Sequence, residues 1–335
     1  MSYTMKVFKN KSIDIKEVET GILSGDRIVL AKAITLVESQ LKDDQKKAEE
    51  LIDKLLSKTG NSIRIGITGV PGVGKSTFIE AFGQYITSLG KKLAVLTVDP
   101  SSKKTKGSIL GDKTRMDELS KNPFAFIRPS PTGGTLGGVT SATRDAILLC
   151  EAAGFEIIII ETVGVGQSEV AVREMTDFFL LLMLPGAGDE LQGIKKGIME
   201  MADGIVITKA DGENIKRAKQ AQADYQQALH LFGASESGCV PNVLTSSALM
   251  NTGISEVWTM IEEFAAFTKV NGYFDKQRIQ QDISSIHSGL EEIIKNAVAE
   301  KSKDLITSLE EKVKLKQLSP RRAARMVLEN FAQKK

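Results

Sequence analysis

The hydrophobic pattern changes period twice along the chain. From Ser12 to Lys58 apolar positions recur at helical spacing: Ile13, Ile15, Val18 and Ile22, then Ile28, Leu30, Ala33, Ile34 and Val37, then Ala48, Leu51, Ile52 and Leu55. Gly25 separates the first two runs, Asp26 stands as an N-cap, and Gly60 closes the third. This predicts a helical leader over 1–60. Between Ser62 and about Thr268 short β-branched runs alternate with helical stretches: Ile63 to Thr68, Leu93 to Val98, Phe124 to Ile127, Ile157 to Ile160, Phe178 to Leu184, Ile205 to Thr208 and Val243 to Thr245. Continuous apolar strands with helices between them predict an α/β domain over 61–270, its sheet mostly parallel and covered on both faces. From Asn271 the alternation stops. Ile279, Ile283, Ile286, Leu290, Ile293, Ile294 and Val298 mark a long amphipathic helix, and Ser319 with Pro320 starts another. The apolar stripe of this 271–335 arm needs cover, either from the core or from a second subunit.

Composition narrows the picture little. Among 335 residues, 44 basic side chains oppose 42 acidic ones, so no global charge points to nucleic acid or anionic lipid. Trp258 and the scattered Phe residues form no stacking platform for bases, and His230 and His287 lie away from every motif. Cys150 and Cys239 show no metal or redox spacing and read as buried thiols of a reducing compartment. Lys6, Lys9 and Lys11 are followed by no apolar signal segment, and no run is long enough to span a bilayer. A cytoplasmic protein is expected.

The chemistry sits at strand ends, where ligands bind on such sheets. The first strand runs into Gly69, Val70, Pro71, Gly72, Val73, Gly74, Lys75 and Ser76, which matches G-x-x-x-x-G-K-[ST] between a strand and a helix. In that motif backbone amides cradle the α- and β-phosphates, and Lys75 reaches the β- and γ-phosphates. The Ser76 hydroxyl is offered to magnesium, and Thr77 lies near the α-phosphate. A P-loop alone leaves the base open. Lys209, Ala210 and Asp211 follow a later strand where GTPases carry N-K-x-D, and a carboxylate there accepts from guanine N1–H and its 2-amino group while mismatching adenine. Lys209 would lay its stem along the base. Thr208 stands where that motif has asparagine, which leaves open how this strand is tied to the P-loop. Ser246, Ser247 and Ala248 fit the last base-contact loop.

Magnesium requires hard oxygens beside the phosphates. Asp99 and Glu161 end two strands, and Asp112 lies on an intervening loop, so these three join Ser76 as candidate ligands. Glu161-Thr162-Val163-Gly164 stands where GTPases have D-x-x-G, which assigns Gly164 to sensing the γ-phosphate and Gln167 to orienting water. Lys75, Asp99, Glu161, Gly164 and Gln167 are thus the catalytic candidates.

Gly69 to Thr77, Asp99 to Ser102, Gly107 to Met116, Arg128 to Pro131, Leu136 to Gly138, ETVGVGQSE from Glu161 and PGAGDELQGIKKGIME from Pro185 together resemble the methylmalonyl-CoA mutase-associated GTPases, the MeaB/ArgK/MMAA family. The likeness runs from about Gly25 to about Phe267. It implies a SIMIBI-class P-loop NTPase fold, similar to nickel-inserting metallochaperone GTPases, with a C-terminal dimerisation arm. It also implies a homodimer that binds a cobalamin-dependent acyl-CoA mutase, gates adenosylcobalamin delivery and protects the mutase. On the same basis Asp189, Gln192 and Lys195 fall on a loop that responds to the partner. The sequence departs from the family at Thr208 and at Lys106, where glycine is usual. Some relatives carry a different label, a kinase or ATPase of arginine and ornithine transport; no base that would activate an acceptor hydroxyl is visible here, and Asp211 argues against ATP.

Overall fold

A computed structural model describes residues 14–98, 116–129, 136–162, 168–186, 196–230 and 235–333. They fall into two compact units, 1–278 and 279–335.

The first unit is built on seven strands: β1 (Ile63–Gly69), β2 (Leu93–Val98), β3 (Ala125–Arg128), β4 (Ile157–Thr162), β5 (Phe178–Met183), β6 (Gly204–Ile207) and β7 (Asn242–Thr245). Their order is β3-β2-β4-β1-β5-β6-β7, and every pairing is parallel. The expected mostly parallel sheet is therefore parallel throughout the described strands. Its strands agree with the sequence reading to within a residue or two; Phe124, read as a strand start, lies just outside β3 and is exposed.

The apolar runs are continuous because both faces are covered. Ile158 and Ile160 of β4 pack on one side, in a core with the helices α1 (Ile15–Leu23), α2 (Arg27–Val37) and α3 (Lys42–Leu55). Ile157 and Ile159 pack on the other, with α4 (Lys75–Ser88). Alternate side chains of one strand thus enter two cores, the period-two rule applied to a sheet with no wet face. The leader forms because its stripes bury Ile22, Leu30, Ile34, Leu51 and Leu55. Asp26 caps α2 as expected, accepting from Ile28 N at 2.8 Å and Val29 N at 3.1 Å, a contribution of about 1 kcal/mol.

Further along come α5 (Asp117–Lys121), α6 (Leu136–Ala152), α7 (Ser168–Arg173), α8 (Lys196–Met201), α9 (Ile215–His230) and α10 (Ile254–Val270). Helix α6 joins the leader side of the sheet, α10 joins α4 on the opposite side, and α9 packs beneath β5, β6 and β7. The chain builds β2, β3 and β4 to one side of β1, and β5, β6 and β7 to the other. The carboxyl end of β1 therefore lies where the strand order reverses, the usual ligand crevice of such sheets.

Helix α11 (Tyr273–Lys301) leaves the first unit and enters the second, which also holds α12 (Lys303–Lys314) and α13 (Pro320–Gln333). In the second unit Leu309 and Ala323 are buried. Lys301 Nζ sits 5.5 Å from the Phe331 ring centroid. The sequence pattern did not separate α12 from the helix before it; the break falls at Ser302, which is buried.

Candidate nucleotide site

Strand β1 ends at Gly69, and a side chain there would place Cβ 2.5 Å from the Leu182 carbonyl oxygen of β5. Only glycine fits that approach. Gly74 has φ +91°, a left-handed conformation that lets the chain turn sharply into α4. Between them Val73 is fully buried and anchors the loop, while Pro71 and Gly72 are exposed. Thr77 is also exposed, in the first turn of α4. The loop thus combines a buried pin with an open rim at a helix N-terminus, where a phosphate is favoured by the helix dipole and unpaired amides.

Lys75 lies in the first turn of α4 and donates to the Gly69 carbonyl at 2.8 Å. Burial pushes its pKa down, while the charges of Glu161 and Glu169 act to raise it. Those carboxylates are themselves buried. Glu161 lies on β4 opposite Ile67 of β1 and Thr97 of β2. Its Oε1 stands 3.5 Å from the Ser76 hydroxyl. One residue on, the Thr162 hydroxyl donates to that of Thr68 at 2.9 Å, fastening the ends of β4 and β1 together. Two of the expected magnesium ligands, Ser76 and Glu161, therefore converge beside Lys75. Glu169, in the first turn of α7, is not singled out by sequence, because its burial beside Lys75 depends on how α7 packs.

The residues expected on the base side stand at the ends of β6 and β7. Thr208 is buried, and its hydroxyl lies 2.8 Å from the Val73 carbonyl and 3.2 Å from that of Met183. One hydroxyl carries one proton, so it serves one of these acceptors at a time. The strand-to-P-loop tie left open by the departure from asparagine is thus made by threonine. Lys209 adopts φ 55° and donates to the Gly72 carbonyl at 2.8 Å. Ala210 N bonds to Ser246 O at 3.1 Å, which joins the two base loops. The Ser247 hydroxyl donates to Asp211 Oδ2 and accepts from Met250 N at 3.1 Å. Ser247 and Thr252 also exchange backbone hydrogen bonds, so this loop is braced across its mouth, with Ala248 half-buried within it. Because β5 alone separates β1 from β6, the strands that lead into the P-loop and towards Asp211 run about 10 Å apart by strand spacing.

Asp99, Asp112, Gly164, Gln167, Asp189, Gln192 and Lys195 lie outside the described residues. Asp99 directly follows Val98, which pairs with Thr162. Of the other residues considered, Cys150 is buried, whereas Cys239 is partly exposed rather than buried as expected. His287 is exposed on α11. Among the described residues no helix is long and apolar enough to cross a membrane.

Fold and site together define a P-loop nucleoside triphosphatase. The family model described as methylmalonyl-CoA mutase-associated GTPase MeaB matches residues 30–303. GTPase ArgK of Escherichia coli is 48% identical over 272 residues, which cover 81% of this chain and 82% of that protein. The mouse protein named methylmalonic aciduria type A homolog, mitochondrial, is 45% identical over 329 residues, covering 95% of this chain and 79% of the mouse chain. A crystal structure described as LAO/AO transport system kinase superposes with a TM-score of 0.75 at 37% identity, covering 96% of this chain and all of that one. The chain belongs to the MeaB family, and it is a GTPase.

Proposed function

We propose that this GTPase acts as a chaperone of a cobalamin-dependent acyl-CoA mutase of the methylmalonyl-CoA type, gating adenosylcobalamin loading and protecting the mutase. The name of the matching family model supports the mutase as partner. The observation that carries guanine selectivity is the Asp211 carboxylate, held by the Ser247 hydroxyl at the same carboxyl end of the parallel sheet as Lys75. Guanine N1–H and its amino group donate to that carboxylate, whereas adenine presents an acceptor nitrogen and leaves it unpaired. Lys209 and the Ser246 to Ala248 loop hold the base, and Gly69 to Thr77 hold the phosphates.

A hydroxyl and a carboxylate converging beside a lysine are the hard-oxygen donors that magnesium takes. Ser76 and Glu161 would hold the ion, with Asp99 and Asp112 as further oxygen donors. Held there, magnesium would supply charge neutralisation to the phosphate oxygens. Lys75 neutralises the same oxygens from the protein side. Gly164 senses the γ-phosphate, Gln167 orients the attacking water, and Asp189, Gln192 and Lys195 respond to the partner.

The protein functions as a homodimer through its C-terminal arm. Ile279, Ile283, Ile286, Leu290 and Ile293 recur at alternating intervals of four and three, and each is exposed in the single chain. That spacing is a coiled-coil seam awaiting a partner helix. Two free thiols fit action in the cytoplasm.

Binding tests the partner assignment. Sedimentation of the full chain with methylmalonyl-CoA mutase and a non-hydrolysable GTP analogue is expected to yield a complex. No co-sedimentation with any nucleotide would count against it.

A further inference from the structure

The first turns of α11 are fastened to the end of the sheet opposite the nucleotide site. Arg278 carries most of that attachment. Its Nη1 donates to Gly60 O at 2.7 Å, and its Nη2 to Ser62 O and to Asp177 Oδ2, each at 2.7 Å. Its Nε donates to Asp177 Oδ1 at 2.8 Å, completing a two-pronged pair with that carboxylate. The guanidinium carbon lies 4.5 Å from the Phe274 ring centroid, so the fork is also stacked. Next to it, Gln277 Nε2 donates to Thr176 O at 3.0 Å.

These partners belong to the two strands that matter at the other end. Gly60 and Ser62 lead directly into β1, and Asp177 leads directly into β5. Asp177 Oδ2 also accepts from Arg64 N of β1 at 2.8 Å. Seven-residue β1 spans about 23 Å, from this clamp to Gly69, which pairs with Leu182 of β5 and leaves no room there for a Cβ. Thr176 and Asp177 moreover follow α7, the helix that carries Glu169. A clamp serving only to fix α11 would need the Asp177 pair alone. Arg278 divides its hydrogen bonds between the approaches to the two strands, with Nη1 also 3.7 Å from Glu151 Oε1 of α6, so its geometry registers how β1 sits against β5.

We propose that Arg278 is a positioning residue that couples nucleotide occupancy of the P-loop to the stability of the first turns of α11. Packed sheets transmit displacement because their interiors are close-packed. A shift of β1 against β5 on phosphate binding changes the fit of four hydrogen bonds whose donors share one rigid plane. Coupling of this kind is reciprocal, so what stabilises or disturbs the start of α11 alters nucleotide affinity by the same factor. The inference rests on Gly69 to Thr77 being the nucleotide site.

Hydrogen exchange on the full chain tests it, with GDP and with a non-hydrolysable GTP analogue, nucleotide binding being titrated in the same samples. In the wild-type chain nucleotide is expected to change exchange across residues 273–285 by about five-fold or more. Arg278→Met is expected to abolish that response while nucleotide still binds, and Gln277→Ala to weaken it. Should Arg278→Met fail to fold, Arg278→Lys, which cannot form the two-pronged pair, is expected to lose most of the response. Nucleotide bound with no change across 273–285, or a full response in the Arg278 variants, would overturn the proposal. A wild-type chain that binds no nucleotide would overturn the site reading, and this inference with it.

Discussion

The Thr208 hydroxyl stands 2.8 Å from the Val73 carbonyl and so ties the end of β6 to the loop between β1 and α4. Both residues are buried, and the bond crosses between elements 135 positions apart in sequence. Thr208→Val keeps the shape and removes the donor. Loss of a buried hydrogen bond costs about 1 to 3 kcal/mol, so affinity for a fluorescent GDP analogue is expected to fall roughly ten-fold. Thr208→Asn, which retains a donor, is expected to bind nucleotide at least as well as the wild type.

In the proposed site Asp211 is the residue that reads the base. Asp211→Asn replaces an acceptor facing guanine N1–H and its amino group with a mixed amide. The ratio of GTP to ATP affinity is expected to fall about 100-fold or more. Ser247→Ala frees the carboxylate of its orienting donor and should lower the ratio by a smaller factor, about five-fold. Competition titrations with both nucleotides read the two effects.

Stability carries a pH signature from Asp203, at the start of β6. Burial pushes its carboxyl up to about 6 from an ordinary 3.8, against the opposing pull of Arg173 and the hydrogen bond from Phe179 N. The folded chain holds this proton more tightly than the unfolded one. The stabilisation is therefore fully present below about pH 4 and is lost as pH rises through about 6. With each pH unit worth about 1.4 kcal/mol, it amounts to roughly 3 kcal/mol. Asp203→Asn should flatten this component, so the stability difference between wild type and variant, measured by urea unfolding, is expected to change between pH 4 and pH 6.5 and to level off above.

The seam on α11 makes a prediction for assembly. Ile286→Asp with Ile293→Asp places charges on two residues that are 69% and 68% exposed in the single chain. Folding of the first unit is expected to be unaffected, while the variant is expected to sediment as a monomer and the wild type, at the same concentration, as a dimer. An unchanged sedimentation coefficient would remove this helix from the interface.

Much of this fold was legible in the sequence because local pattern and tertiary environment agree. Ile157 to Ile160 is apolar without a break since the sheet is covered on both faces, and Asp26 caps because it precedes the first apolar stripe of α2. The P-loop was legible because Gly69, Gly74 and Lys75 answer to steric and electrostatic demands that few other residues meet. What was not legible depends on distant partners. Arg278 reads as one more polar position on an amphipathic helix, yet it meets Gly60, Ser62 and Asp177, more than 100 residues away. Thr208 reads as a departure from its motif until Val73 is seen within reach of its hydroxyl. Glu169 shares the neighbourhood of Lys75 only because α7 packs against β1 and β4.

The central claim is tested most directly by nucleotide turnover of the purified chain with GTP and with ATP, each alone and with cobalamin-loaded methylmalonyl-CoA mutase. Slow, GTP-selective hydrolysis that rises sharply when the mutase is added is expected. Equal turnover of ATP and GTP, with no response to the mutase, would contradict both the role of Asp211 and the chaperone function.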